Sequence, residues 1–163
     1  MMRKCMEKLE KFSFIPELIQ TNLKAKNSDE VIDSLSKKME ERGTVQEGYA
    51  DLVKEREIEF PTGLRTSGAV IAMPHAFDKR NHASYVAVGV LEKPVHFRNM
   101  EDFEEELSVE VVFLLAIDEK KEQMSMLQVL MKIFQDKELL EEIKSIKTSE
   151  EFCQKLNAFL QKI

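Results

Sequence analysis

The chain has 163 residues, 43% hydrophobic and 33% charged, with a net charge of −6. That length supports a single domain over residues 1–163 with a real core, and the acidic balance argues against a nucleic-acid partner, which would need a basic face. The longest unbroken apolar run is Val111–Ile117, and no apolar segment follows Arg3 and Lys4, so neither a membrane span nor a signal peptide is expected and the cytoplasm is the expected location.

Residues 1–11 read as a loose, charged extension. Phe12–Thr21 has the short-range apolar spacing of a strand, interrupted at Pro16. Asn27-Ser28-Asp29-Glu30 is a capping box, and Val31, Leu35 and Met39 then recur every four residues until Gly43 ends the helix. Thr44-Val45-Gln46-Glu47 reads as a second capping box, opening a helix through Tyr49, Leu52 and Val53 towards Arg56. Pro61-Thr62-Gly63 breaks that pattern.

Ala69–Met73 reads as a buried strand that Pro74 should stop, because proline cannot donate to a ladder. Tyr85–Leu91 is a second strand, and Pro94–Phe97 a short extended piece or turn. Glu101–Glu106 holds five acids and reads as a solvated loop. Val109–Ile117 is a third strand, nearly continuous in apolar residues and therefore central. Asp118 can cap a helix with Met124, Leu127, Met131 and Phe134 on one face, and Asp136 a short one to about Ser145. Thr148-Ser149-Glu150-Glu151 opens a last helix lined by Phe152, Leu156, Phe159 and Ile163. Strands alternating with helices indicate an α/β layered domain, its mixed or mostly parallel sheet flanked by helices on both faces. Cys5 and Cys153 read as free thiols in a reducing compartment.

All three histidines fall between residues 75 and 96. His75, in Ala72-Met73-Pro74-His75-Ala76, stands at the carboxyl end of a strand, where open α/β sheets bind ligands. A histidine there can be a nucleophile, a proton carrier or a metal ligand, or it can close the strand with a hydrogen bond to backbone. His75, His82 and His96 show none of the compact zinc spacings, so no metal is expected. Ser67 and Ser84 lack a G-x-S-x-G elbow, and no phosphate loop or dinucleotide fingerprint is present, so no cofactor is expected. Arg56 either interacts with its own helix C-terminus or with Glu55 and Glu59, or offers a fork for a phosphoryl group. Phe77, Phe97 and Met126 are candidates for a docking patch, or for plain core packing.

Arg56-Glu57-Ile58-Glu59-Phe60-Pro61-Thr62-Gly63, followed by Ile71-Ala72-Met73-Pro74-His75, resembles the IIA domain of the sugar phosphotransferase system. Within the fructose/mannitol-type superfamily it resembles the galactitol-specific branch, from about Phe12 to Leu160. The resemblance implies that His75 is phosphorylated by the phosphocarrier HPr. The group would then pass to a cysteine of a IIB protein, which phosphorylates sugar entering through a membrane IIC component. It implies that Arg56 steadies the phosphoryl group. Fructose- and mannitol-type domains carry a second histidine where this chain has Met126, and His82 is the candidate auxiliary. A regulatory module of the same fold, phosphorylated without moving sugar, is the second expectation. A metal-dependent hydrolase built on the three histidines is the third.

Overall fold

The computed structural model describes residues 13–81, 84–117 and 120–163. The expected extension over 1–11, His82 and the Asp118 cap lie outside the described residues.

A short 3-10 turn, Pro16–Leu18, leads into strand β1, Ile19–Leu23. Pro16 therefore starts a turn and does not interrupt a strand, and β1 begins later than the spacing predicts. Helix α1, Ser28–Arg42, begins and ends as its sequence dictates. The Asn27 side chain accepts the Glu30 N–H at 2.9 Å, and Gly43 takes the left-handed conformation, φ 81°.

Helix α2, Tyr49–Glu59, corrects the second capping box. Its N-cap is Gly48, and the Thr44 hydroxyl turns back to donate to the Met39 carbonyl at 3.0 Å, closing α1. Thr44 is thus spent on the helix behind it.

Strands β2 (Gly63–Arg65), β3 (Val70–Ala72) and β4 (His75–Phe77) follow. The long strands β5 (Tyr85–Arg98) and β6 (Glu106–Ile117) come next. Pro94–Phe97 is part of β5, past the reach of β1, at an irregularity between Val90 and Val95. A bulge there accommodates a residue without an N–H. Glu106 belongs to β6, so the acidic loop is shorter than its composition suggests.

Helices α3 (Lys120–Phe134), α4 (Lys137–Ile143) and α5 (Ser149–Lys162) end the chain. Asp136 and Thr148 cap α4 and α5, accepting the N–H of Leu139 and of Glu151. The buried face of α3 is Met126, Leu130, Ile133 and Phe134, while Met131 is exposed. On α5, Phe152, Cys153, Leu156 and Leu160 are buried and Ile163 is exposed. Phe134, Phe152 and Leu156 are buried as the spacing predicts, and Leu127 and Phe159 pack partly buried against the core; Met131 and Ile163 depart from it, and the Met124 side chain lies outside the described residues.

The sheet runs β1-β5-β6-β3-β2, with β4 also paired to β6. The β1/β5, β3/β6 and β4/β6 pairs are parallel, and β5/β6 and β2/β3 are antiparallel. Val111, Phe113, Leu115 and Ile117 face α3–α5, while Val112, Leu114 and Ala116 face α1 and α2. All seven are fully buried, which explains a strand that is apolar without alternation.

Gly63 is a tight point of the sheet, next in sequence to Thr62. A Cβ there would sit 2.6 Å from the Arg98 carbonyl oxygen, in the backbone of β5. Gly63→Ala must push the two strands apart, and urea unfolding should show a loss of about 1–3 kcal/mol.

Candidate active site

Parallel ladders bond a strand to one neighbour through alternate residues. β3 and β4 pair with β6 in one continuous register, Ala72 opposite Val112 and His75 opposite Leu115. Pro74 has no N–H, so the ladder lapses and then resumes, the Leu115 N–H donating to the Pro74 carbonyl at 3.0 Å. The expected strand end at Pro74 is therefore only a gap. His75 begins β4, and does not lie past the sheet's end.

By the same alternation, the backbone of Met73 faces away from β6. β2 starts at Gly63, one residue short of meeting it. Side chains take over both groups. The Met73 N–H donates to the Thr62 hydroxyl at 3.2 Å, and the Met73 carbonyl lies 2.9 Å from Nδ1 of His75. A carbonyl can only accept, so Nδ1 carries the proton and Nε2 holds the lone pair. His75 is 8% exposed. Burial, helped by the nearby Arg56 charge, holds its pKa below 6.5, against the opposing pull of the Met73 carbonyl. The ring is neutral at pH 7.

Arg56 comes from the last turn of α2. Its guanidinium lies between two aromatic faces, 5.1 Å from the Phe60 ring centroid and 5.4 Å from that of Phe77. Phe77 in turn meets His75 edge-on, ring centroids 6.5 Å apart. The Nε of Arg56 is buried with no hydrogen-bond partner among the described residues. The work of tying down the C-terminus of α2 falls to Arg98, which donates to the carbonyls of Glu57, at 3.3 Å, and of Ile58. Of the two roles open to Arg56, helix capping is thus filled by another residue.

Three residues that the sequence reading passed over build the floor. Tyr49 is fully buried, and its hydroxyl donates to the Leu115 carbonyl at 2.6 Å. The Ala76 N–H donates to that hydroxyl from 3.2 Å. Burial pushes the phenol well above its ordinary pKa. Glu57 accepts from the Thr62 N–H and the Thr62 hydroxyl, each at 2.9 Å. Burial raises the Glu57 pKa to about 7, against the hydrogen bonds from Thr62 and the charges of Arg98 and Arg56. No sequence signal marks Tyr49 as other than a core residue. Glu57 and Thr62 lie within the stretch that carries Arg56, unremarked.

Beyond β4, Asp78 is held by a two-pronged contact with Arg80, which lowers its pKa. His96 is exposed, 3.4 Å from Glu106, and pairs with Ser108 near the start of β6. That is seven residues of strand from Leu115, roughly 20 Å. His96 and His75 do not share a site. Among the described residues no group of three His, Cys, Asp or Glu side chains is placed to hold a metal. Of the candidate docking residues, Phe77 is 44% exposed, whereas Phe97 and Met126 are buried in the core. No described helix is long and apolar enough to cross a membrane.

Tyr49→Phe leaves the Ala76 N–H and the Leu115 carbonyl short of a buried partner. Thermal unfolding should show a loss of about 1–3 kcal/mol, with faster amide exchange at Ala76.

Residues 13–159 match the family described as the phosphoenolpyruvate-dependent sugar phosphotransferase system, EIIA 2. The galactitol-specific EIIA component of Escherichia coli strain K12 is 26% identical over 125 residues, covering 76% of this chain and 81% of that protein. The crystal structure of the mannitol IIA of Escherichia coli superposes with a TM-score of 0.73 at 23% identity, over 89% of this chain and 99% of that one. The same TM-score, at 21% identity over 90% of this chain and 99% of that one, relates it to mannitol IIA in complex with phosphorylated IIB from Escherichia coli. The chain belongs to the EIIA type 2 family and is a phosphoryl-transfer component of a sugar phosphotransferase system.

Proposed function

We propose that Nε2 of His75 takes a phosphoryl group from phosphorylated HPr and passes it to a cysteine of a IIB protein, in a system for galactitol or a related polyol. The observation that carries the reading is the bond between Nδ1 and the Met73 carbonyl, which fixes the lone pair on Nε2 beside an arginine with an unpartnered donor. The galactitol-specific relative supports the substrate class, and the mannitol complex supports a IIB partner. These carriers work in the cytoplasm, with a membrane IIC component as the eventual destination of the sugar-bound phosphate.

In the first step the Nε2 lone pair forms a bond to phosphorus while the donor's P–N bond breaks, and that electron pair returns to the donor nitrogen. The transition state is loose, with charge on the three equatorial oxygens. Arg56, whose charge is felt at His75, is the cation assigned to meet that charge, and the two aromatic faces that flank it limit its rotamers. His75 keeps its Nδ1 proton throughout, so the phosphorylated ring is cationic, and the Met73 carbonyl dipole steadies it. In the second step a IIB thiolate attacks phosphorus and the N–P electron pair returns to Nε2. No net proton exchange at His75 is needed in either direction. His82 is proposed as an auxiliary where other members use a second histidine.

Incubation with phosphoenolpyruvate, Enzyme I and HPr should place acid-labile phosphate on the protein, and His75→Ala should abolish it. Normal labelling of that variant sinks the reading. Arg56→Ala should slow transfer about a hundredfold, as loss of one preorganised donor does elsewhere. Its melting temperature should stay near the parent's, and transfer at the parent rate removes its role.

A further inference from the structure

We propose that Glu57 is a positioning residue for His75, acting through the Thr62 hydroxyl and the backbone of Met73. The inference rests on the reading of His75 as the phosphoryl acceptor.

A threonine hydroxyl has one proton to give and lone pairs to receive. The Thr62 hydroxyl gives its proton to Glu57, at 2.9 Å from Oε2. It is thereby committed to receive the Met73 N–H, at 3.2 Å. With its N–H fixed, Met73 holds its carbonyl towards Nδ1 of His75, at 2.9 Å. Each link is directional, and the chain ends on the nitrogen whose proton decides which face of the ring is nucleophilic. A second clasp on the Thr62 N–H, at 2.9 Å from Oε1, fixes the carboxylate in plane. Thr62 is 6% exposed, so water does not readily replace these links.

Glu57 is the only acid in this chain of contacts. The charged groups that face it are Arg98, from β5, and Arg56, beside it on α2. Burial nevertheless lifts its pKa to about 7. Protonation turns an acceptor into a donor. A protonated Glu57 can give its hydrogen to Thr62, which then no longer needs to aim its own. Transfer should therefore rise with pH in two stages, first as His75 loses its extra proton below 6.5 and again near 7 as Glu57 ionises.

The test uses Glu57→Gln, Thr62→Val and Thr62→Ser, with Glu59→Gln, at the exposed end of α2, as control. Transfer from phosphorylated HPr is followed from pH 5.5 to 8.5, with imidazole 15N shifts of His75 recorded alongside. Thr62→Val should lower kcat about tenfold or more with KM for phosphorylated HPr unchanged, since a small misplacement of a reacting group is costly. Its 15N shifts should move towards a mixture of the two tautomers. Thr62→Ser should restore both the rate and the shifts. Glu57→Gln should lose the rise near pH 7, and Glu59→Gln should behave as the parent. The inference is overturned if Thr62→Val or Glu57→Gln keeps the parent's rate, profile and 15N shifts. A Thr62→Ser variant as impaired as Thr62→Val also overturns it, because the hydroxyl would then not be what matters. Should Glu57→Gln melt below the assay temperature, the valine and serine pair decides alone. A parent protein that takes up no phosphoryl group overturns the reading of His75 instead, so the two failures are told apart.

Discussion

Pro74 has no N–H to offer, and it sits in the strand that pairs with the most buried strand of the sheet. The ladder lapses there for two residues, yet its register is unchanged on the far side. Alternation turns both backbone groups of Met73 away from β6, and β2 begins one residue too late to meet them. Buried peptide groups must be satisfied. Here the satisfaction comes from Thr62 on one side and from His75 on the other. The orientation of the imidazole is thus a by-product of sheet accounting. It costs no extra ordering, because the strand is ordered already.

The two faces of the sheet divide the labour. One face packs α3–α5 and takes the side chains of Met73 and Leu115, whose backbone groups serve the site. The other packs α1 and α2 and delivers Tyr49, Arg56 and Glu57 from a single helix of eleven residues. Tyr49 enters at its first turn and ties β4 to β6, while Arg56 and Glu57 leave from its last. Arg98 then anchors that last turn to the far end of β5. One short helix is therefore gripped at both ends by the sheet it serves, which is how a partly exposed arginine keeps a defined place.

Local rules made much of this legible beforehand. Asn27, Gly43, Asp136 and Thr148 act as the sequence says, because caps depend on neighbours within four residues. The Val111–Ile117 run could be read as central because only a strand covered on both faces is apolar throughout. His75 and Arg56 stood out as a histidine after proline and an arginine before a helix break. What failed to show depends on distant partners. Thr44 had the letters of a capping box and was claimed by Met39 behind it. β2 is three residues long, and exists only because β3 lies beside it. Tyr49 and Thr62 carry no local sign of their roles, since what they touch lies on other strands, at Ala76, Leu115 and Met73, and Glu57 reaches that network only through Thr62. His96 looked close to His75 in the chain, and a long β5 carries it to the opposite end of the sheet.

The tether on Nδ1 has a consequence for traffic. A ring pinned on one nitrogen and sunk to 8% exposure leaves only the other as a doorway. On the reading given to His75, the donor and the acceptor of its cargo must use that same doorway, and neither can wait there while the other is present. Turnover would then follow a strict alternation of visitors, each excluding the next. An excess of either unloaded carrier would slow the relay simply by standing in the entrance.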